Sequence, residues 1–183
     1  MSTSLAAPIA AGAHPLSVAI LGLVTLQRLA ELALARRNTR RLLAQGGVEI
    51  APGHYPAVVA LHAAWLLGLW LLAPTRVSDP TLLAVFCALQ IGRIWVLATL
   101  GSRWTTRIIV VPGAPLLRSG PYRLLSHANY LVVAGVILVL PLAFGLPLFA
   151  VVFSALNALV LWVRIQAEDA ALHRDRPRKP APR

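Results

Sequence analysis

A short polar stretch, SGPYRLLSHANY at residues 119–130, contains the residue types best suited to chemistry in this chain. An apolar run follows it, then Gly145-Leu146-Pro147, then a second apolar run that ends in Glu168-Asp169. Two membrane helices joined by so tight a turn must run antiparallel, so their far ends return to the same membrane face. His127 and Glu168 flank the turn at nearly equal distances and are therefore predicted to lie at one depth. Polar groups converging there, next to apolar helices, would suit a polar cofactor bound at a membrane surface.

The composition predicts an all-α integral membrane protein. Of 183 residues, 58% are hydrophobic and only 13% are charged, whereas a soluble domain usually carries about 25% charge. The apolar residues fall in long blocks, which is typical of membrane helices. The net charge of +11 favours lipid headgroups over nucleic acid as the partner, because the basic residues lie between the apolar blocks. Cys87 is the only cysteine, so no internal disulfide, cysteine cluster or metal site is predicted.

Five apolar blocks are predicted to cross the membrane as helices, and the last two form the tight hairpin. The fourth block is short and would have to stand upright across ~30 Å of hydrocarbon. One membrane domain at 15–172 would follow an N-terminal tail at 1–14 and precede a basic, disordered tail at 173–183. The blocks are residues 15–35, 57–73, 81–100, 129–144 and 147–165.

Arginine and lysine alternate between the connectors. The first and third connectors and the C-terminal tail are rich in arginine, the second contains only Arg76, and the turn at Gly145 contains none. The positive-inside rule therefore places the N-terminus outside and the C-terminus in the cytoplasm. The 17 basic residues include a single lysine, and Ala and Leu abound. This composition is typical of a GC-rich bacterial genome. The expected location is the bacterial inner membrane, with the site facing the cytoplasm.

Several polar residues interrupt the apolar blocks, all in the predicted cytoplasmic half. Ionisable groups in a bilayer cost roughly 2.5–3.5 kcal/mol each and normally face a bundle interior. Arg28–Glu31 alone could be a structural pair, and arginines near helix ends could extend to the headgroups. Clustering at the depth of His127 and Tyr130 favours a functional site. The residues are Arg28, Glu31, His62, Gln90, Arg93, Asn157, Arg164 and Glu168.

The motif GPYR, two residues, then SHANYL, followed by a hairpin and an acidic pair, resembles the isoprenylcysteine carboxyl methyltransferase family and its phospholipid methyltransferase relatives. The usual motif there is Gly-Pro-Tyr-Arg-x-x-Arg-His-Pro-x-Tyr, with paired glutamates after the hairpin. The segments RLAEL-ARRN, GHYP and RWTTRIIVVPG are similar to a small bacterial branch. Some members of that branch lie beside type III polyketide synthases and resemble enzymes that O-methylate alkylpyrones or alkylresorcinols.

The resemblance implies S-adenosylmethionine bound between the hairpin and the cytoplasmic connector, and a lipophilic acceptor that enters from the membrane. His127, Tyr130 and Glu168 match the motif positions and are implied cofactor contacts. Tyr122, Arg123 and Asn129 are further candidate cofactor contacts. His62, Arg93 and Arg164 are candidate catalytic residues, since a phenolic acceptor with a pKa near ~10 would benefit from a base or a cation.

The chain departs from the family motif at three positions. Ser126 replaces the motif arginine, Ala128 the proline, and Asp169 the second glutamate. Losing the arginine removes a charge that could hold the cofactor carboxylate or the acceptor, and Arg123 or Arg107 is expected to replace it. Two other hypotheses stay open: a membrane NADPH-dependent reductase of related architecture, and a degenerate, non-enzymatic membrane adaptor.

Overall fold

The computed structural model describes residues 12–114, 119–125 and 127–174. Ser126 and most of the two predicted tails therefore lie outside the described residues, as does the side chain of Asp169. Within these ranges the chain forms five α-helices, three short 3-10 turns and one pair of two-residue strands. The helices are α1 (Pro15–Ala44), α2 (Tyr55–Leu72), α3 (Pro80–Leu100), α4 (Ala128–Ala143) and α5 (Pro147–Arg174). The 3-10 turns are Pro52–His54, Gly101–Arg103 and Gly120–Arg123.

The two strands, β1 (Val48–Glu49) and β2 (Ile109–Val110), pair antiparallel and join the connectors before α2 and after α3. Val48 lies opposite Val110, and Glu49 lies opposite Ile109. This pairing holds two segments together that are far apart in sequence, on the side of the molecule where the polar residues gather.

Four of the described helices, α1, α2, α3 and α5, are long and apolar enough to cross a membrane. α4 is apolar but has only 16 residues, about 24 Å at 1.5 Å per residue. It falls short of the ~30 Å hydrocarbon core. The all-helical membrane architecture is confirmed, whereas a fifth crossing by α4 stays a prediction.

Two helices extend beyond their predicted ends. α1 continues through the arginine-rich segment to Ala44, where Asn38 is buried and donates through Nδ2 to the carbonyl oxygens of Gly101 and Trp104. Arginine is a good helix former, so the polar end of α1 stays helical and packs against the α3–α4 connector. α5 likewise continues past its apolar block at 147–165, through the predicted position of Glu168 on the same helix, to Arg174.

The turn between α4 and α5 is as tight as predicted. The Gly145 N–H donates to the Leu142 oxygen and the Leu146 N–H donates to the Pro141 oxygen, both at 2.9 Å. This is the Schellman pattern of a helix C-terminus, and Gly145 adopts the left-handed conformation that it requires (φ 67°). Pro147 then starts α5, where the missing N–H costs nothing.

Pro141 lies inside α4 and cannot donate to the oxygen of Ile137, one turn earlier. The buried indole of Trp65 on α2 supplies a replacement, because its Nε1 donates to that oxygen at 3.3 Å. An unsatisfied carbonyl in an apolar environment is costly, so this bond fixes α2 against α4. The side chains of Trp65 and Ile137 belong to the main apolar core, together with Leu21, Leu69, Phe86, Leu140 and Phe144.

Hydrogen bonds hold the start of α1, the α2–α3 loop and the end of α4 together at one end of the bundle. The His14 N–H donates to Pro74 O, Ser17 Oγ donates to Arg76 O, and the Asp79 N–H donates to Ala143 O. The start of α1, the α2–α3 loop and the hairpin turn therefore share one end. The arginine-rich end of α1, the paired strands and the start of α4 lie at the other.

Candidate functional site

A cavity of about 290 Å³ lies inside the bundle, toward the end that holds the paired strands. Residues of all five helices and of the α3–α4 connector line it. Its lining includes five of the nine predicted site residues, namely His62, Arg93, Asn129, Tyr130 and Arg164. Most of the other residues that line the cavity are aliphatic, so the polar side chains form only part of its wall.

Tyr130 is the centre of a polar cluster between α4 and α5. Its hydroxyl donates to Glu168 Oε2 and accepts from Arg164 Nε at 2.9 Å. Arg164 also donates to the oxygen of Thr106 at 2.8 Å, and its guanidinium lies 5.4 Å from the centre of the Tyr130 ring. His127 stacks on the same ring with centroids 5.5 Å apart. The prediction that the two ends of the hairpin meet at one depth is therefore confirmed.

A second network joins α1, α3 and α4 through Glu31. Arg93 binds both carboxylate oxygens, from Nε at 2.9 Å and from Nη2 at 2.8 Å, and its Nη1 donates to Asn129 Oδ1 at 2.6 Å. Arg28 donates to Glu31 Oε2 at 3.0 Å, as expected for their spacing on α1. Gln27 adds a fourth bond to Glu31. The three guanidinium nitrogens of Arg93 contact protein groups, so Arg93 positions Asn129 and Glu31; its catalytic role stays a prediction.

His62 lies on the α2 wall of the cavity and is half-buried. Its Nδ1 lies 2.8 Å from the Val58 oxygen, and such an acceptor requires a proton on Nδ1. In the neutral ring Nε2 then carries the lone pair. His62 can therefore accept a hydrogen bond from a ligand hydroxyl.

Tyr122 and Arg123 lie in the 3-10 turn before α4 and do not line the cavity. Burial, together with the nearby carboxylate of Glu168, raises the pKa of Tyr122 to about 12. Tyr122 is thus close to the Tyr130–Glu168 cluster and stays protonated at neutral pH. Arg123 is exposed to solvent.

Arg107 was the other candidate to replace the missing motif arginine. Its Nη1 donates to both oxygens of Glu49, at 3.0 and 2.8 Å, and its guanidinium lies 4.4 Å from the centre of the Tyr55 ring. The bond to Glu49 raises the pKa of Arg107 above its ordinary value. Arg107 is therefore already engaged in a protein ion pair, which leaves Arg123 as the better candidate.

Two buried polar atoms of the cavity lining have no hydrogen-bond partner within the described part of the chain. They are Oδ1 of Asn157 and Nε1 of Trp104. Unpaired buried groups are costly and often mark places that a ligand or water occupies. Asn157 is one of the polar residues that the sequence marks within an apolar block, whereas Trp104 stands out only as a tryptophan after a basic residue. Tyr55, Thr105 and Thr106 also line the cavity; they lie in the segments GHYP and RWTTRIIVVPG, whose resemblance to the bacterial branch singles out no individual residue.

The chemistry of the cluster fits S-adenosylmethionine. Glu168 offers a carboxylate for ribose hydroxyls or the cofactor amine, and the stacked rings of His127 and Tyr130 offer aromatic surface for adenine or the sulfonium. The cavity lining contains three arginines, Arg28, Arg93 and Arg164, against one carboxylate, Glu31. The lining therefore carries a net positive formal charge, which suits an electron-rich oxygen.

The comparisons with known proteins agree with this chemistry. The sequence profile of the isoprenylcysteine carboxyl methyltransferase family matches residues 82–174. The chain is also 38% identical over 158 residues to the uncharacterized protein YpbQ of Bacillus subtilis (strain 168), covering 84% of this chain and 94% of that protein. No solved structure matches the chain. The profile match begins in α3 and ends with α5, so it includes the Tyr130 cluster and leaves out α1 and α2.

Proposed function

Because the chain belongs to the isoprenylcysteine carboxyl methyltransferase family of membrane methyltransferases, we propose that it methylates an oxygen of a lipophilic acceptor with S-adenosylmethionine as donor. The observation that carries this proposal is the bonded cluster of Tyr130, Arg164 and Glu168 beside an apolar cavity. A site that binds both a polar cofactor and a lipophilic acceptor needs polar side chains next to an apolar cavity. No observation favours the reductase or the adaptor.

The residues that would hold the cofactor lie around the start of α4 and the end of α5. Glu168 would bind its amine or ribose hydroxyls, and the rings of Tyr130, Tyr122 and His127 would contact adenine or the sulfonium. Arg123 would bind the carboxylate, since arginine is well shaped for that group. Asn129 is held by Arg93 and would present its remaining polar groups to the cofactor.

Bound S-adenosylmethionine supplies an electrophilic methyl group for in-line displacement by an acceptor oxygen. The chain itself must align the oxygen with the methyl, and such positioning can supply ~7–11 kcal/mol. Arg164 and Arg28 place positive charge at the cavity wall, which stabilises negative charge developing on the acceptor oxygen. His62 Nε2 can accept the hydrogen bond of the acceptor hydroxyl, and the apolar lining excludes water.

The resemblance to the small bacterial branch suggests an alkylpyrone or alkylresorcinol hydroxyl as the acceptor, and an isoprenylcysteine-like carboxyl as the alternative. A functional link to a type III polyketide synthase follows from the first choice and belongs to the same proposal. The size of the cavity supports a single small ring or head group, because a cavity of ~150 Å³ already accommodates benzene.

We further propose five crossings of a bacterial inner membrane, with the N-terminus outside and the site facing the cytoplasm. The arginine-rich connectors support this orientation, and the hydrogen bonds that group the hairpin turn with the start of α1 and the α2–α3 loop support alternating crossings. A reporter fused after Arg183 should be cytoplasmic, and one inserted near Arg76 should be external. The reverse result would place the cluster on the wrong side for a cytoplasmic cofactor.

The methyltransferase proposal can be tested without knowing the acceptor. Membranes from cells that express the protein are incubated with S-adenosylmethionine carrying a tritiated methyl group and then extracted with organic solvent. Wild-type protein should transfer tritium to the lipid extract, and Tyr130→Phe should reduce transfer at least tenfold, because Arg164 and Glu168 lose their shared partner. Equal transfer by cells lacking the protein would contradict the proposal.

A further inference from the structure

Two buried side chains in the wall of the cavity carry the further inference, because each has a hydrogen-bonding atom with no partner in the described part of the chain. Nε1 of Trp104 is a donor and Oδ1 of Asn157 is an acceptor. Both residues line the cavity. Trp104 is 2% exposed and Asn157 is 1% exposed, so bulk solvent does not satisfy them. The torsion that turns an asparagine amide is soft, so Oδ1 can face a molecule in the cavity.

Other polar side chains of the lining are already bonded to the protein. Thr25 Oγ1 donates to the Leu21 oxygen at 2.8 Å and accepts from Trp70 Nε1 at 3.0 Å. Thr105 Oγ1 donates to the Arg107 oxygen at 2.6 Å. A ligand that bonded to these groups would have to compete with a protein partner. A ligand that bonds to the two unpaired atoms breaks no protein bond and removes the cost of leaving them unpaired.

The two unpaired atoms belong to opposite ends of the cavity. Asn157 lies about 15 Å from the start of α5, and Arg164 lies about 10 Å farther along the same helix. Arg164 donates to the oxygen of Thr106 in the α3–α4 connector. Trp104 lies in that connector, and its own oxygen accepts from Asn38 near the arginine-rich end of α1. The unpaired donor is therefore at the connector end, and the unpaired acceptor is about two helical turns deeper.

We propose that the cavity binds an elongated, ring-sized head group with a polar group at each end. A carbonyl or ether oxygen of the ligand accepts from Trp104 Nε1, and a hydroxyl or N–H at the other end donates to Asn157 Oδ1. That this ligand is the methyl acceptor rests on the proposed function, whereas the two hydrogen bonds do not depend on methyl transfer.

The pair of unpaired atoms makes Asn157 and Trp104 specificity-determining residues. An alkyl chain without polar groups would leave both atoms unpaired. An ionised carboxylate can accept from Trp104 but has no hydrogen to donate, so it would leave Asn157 Oδ1 unpaired. Sites built to bond a polar hydrogen discriminate strongly against analogues that lack it. The cavity should therefore prefer a ligand with a second, hydrogen-bearing polar group at its inner end.

The test compares three water-soluble probes that have the same number of non-hydrogen atoms. Para-hydroxyacetophenone carries both polar groups, para-methylacetophenone lacks the hydroxyl, and para-isopropylphenol lacks the carbonyl. A single ring fits, because ~150 Å³ already accommodates benzene and the cavity measures about 290 Å³. Affinities are obtained from the shift in unfolding midpoint with probe concentration. The protein is full-length and detergent-solubilised, and no S-adenosylmethionine is added.

Each unpaired atom is removed by one substitution, and each substitution has a matched control. Asn157→Leu removes Oδ1, and Trp104→Phe removes Nε1 while keeping an aromatic ring. Ser154→Ala is the control for the first, because Ser154 Oγ is also buried and unpaired on α5 but does not line the cavity. Trp95→Phe is the control for the second, because Trp95 is 52% exposed on α3 and lies outside the lining.

Wild-type protein should bind para-hydroxyacetophenone about tenfold more tightly than either of the other probes. Asn157→Leu should abolish the advantage over para-methylacetophenone and keep the advantage over para-isopropylphenol, and Trp104→Phe should do the reverse. Both controls should keep both advantages. Without a probe, Asn157→Leu should not lower the unfolding midpoint, since Oδ1 has no bond to lose. Asn157→Ala is a second variant, should Asn157→Leu fold poorly.

Equal affinities of the three probes for wild-type protein would overturn the inference. So would an equal loss of affinity for all three probes in Asn157→Leu, because Oδ1 would then not recognise the hydroxyl. The expected pattern in a protein that transfers no methyl group would support the head-group site and contradict the proposed function alone. Equal affinities with normal methyl transfer would contradict the head-group site alone.

Discussion

The two parts of the molecule that enclose the cavity are built differently. The α3–α5 part brings Tyr130, Arg164 and Glu168 together within one helical hairpin, and the family profile covers it. The α1–α2 part contributes Arg28, Glu31 and His62, lies outside that profile, and is joined to α3 chiefly through the carboxylate of Glu31. The comparison teaches that the proposed cofactor residues all lie in the α3–α5 part, whereas both parts contribute residues to the wall of the cavity.

The largest effect is expected where the two parts meet. Glu31→Gln should lower the free energy of unfolding by about 3–5 kcal/mol, because Arg28 and Arg93 would lose their buried carboxylate. Denaturation in mixed detergent micelles measures this. Glu49→Gln is the matched control: its partner Arg107 is 39% exposed, so the loss should stay below about 1 kcal/mol. Equal losses for both variants would show that Glu31 does not join the two parts.

The next effect concerns cofactor binding by the α3–α5 part alone. Glu168→Gln should weaken S-adenosylmethionine binding by about 1.5–3 kcal/mol, the scale of a charge-assisted hydrogen bond, as measured by calorimetry. Gln166→Ala, at an exposed position of α5, should leave the affinity unchanged. If Glu168→Gln binds normally with its fold intact, Glu168 is not a cofactor residue.

Variants at Arg123 and Ser126 test whether Arg123 replaces the motif arginine that is missing at position 126. Arg123→Ala should weaken cofactor binding by about 2 kcal/mol, or about thirtyfold, whereas Ser126→Arg in the wild-type background should change it little. The two changes together should recover much of the loss. Untouched binding in Arg123→Ala, with at least a tenfold gain in Ser126→Arg, would mean that Arg123 does not replace the motif arginine.

The smallest expected effect is on the pH dependence of stability. A tyrosine whose folded pKa is raised to about 12 keeps its proton between pH ~10 and ~12, where an unfolded tyrosine loses it. The contribution of Tyr122 to the free energy of unfolding is therefore fully present below pH ~10 and is lost as the pH rises to ~12. Because Tyr122 is only half-buried, we expect about 1 kcal/mol. Tyr122→Phe should flatten this part of the profile, and an unchanged slope would contradict the assignment.

The sequence was sufficient to predict the hairpin and its polar end. Gly145-Leu146-Pro147 marks the turn, and counting outward from it places His127 and Glu168 at one depth. In the structure Glu168 bonds to Tyr130, and His127 stacks on the Tyr130 ring. The spacing of Arg28 and Glu31 likewise predicts their ion pair. These predictions succeeded because each depends on local periodicity or on one short turn.

Contacts between distant segments could not be predicted in the same way. Nothing in the periodicity of α3 identifies Glu31 as the partner of Arg93, and nothing in α2 shows that Trp65 satisfies the carbonyl freed by Pro141. The pairing of Val48 with Val110 is equally remote. Such contacts depend on how the helices pack, and hydrophobic blocks alone leave that packing open.

The most direct test of the central claim is a comparison of ligands with the detergent-solubilised, full-length protein. Thermal unfolding is followed with S-adenosylmethionine, with NADPH and with no addition, since a ligand that binds the folded state stabilises it. The account predicts a rise in the midpoint with S-adenosylmethionine that grows with its concentration and is reduced in Glu168→Gln, and no rise with NADPH. Stabilisation by NADPH alone, or by neither ligand, would contradict it.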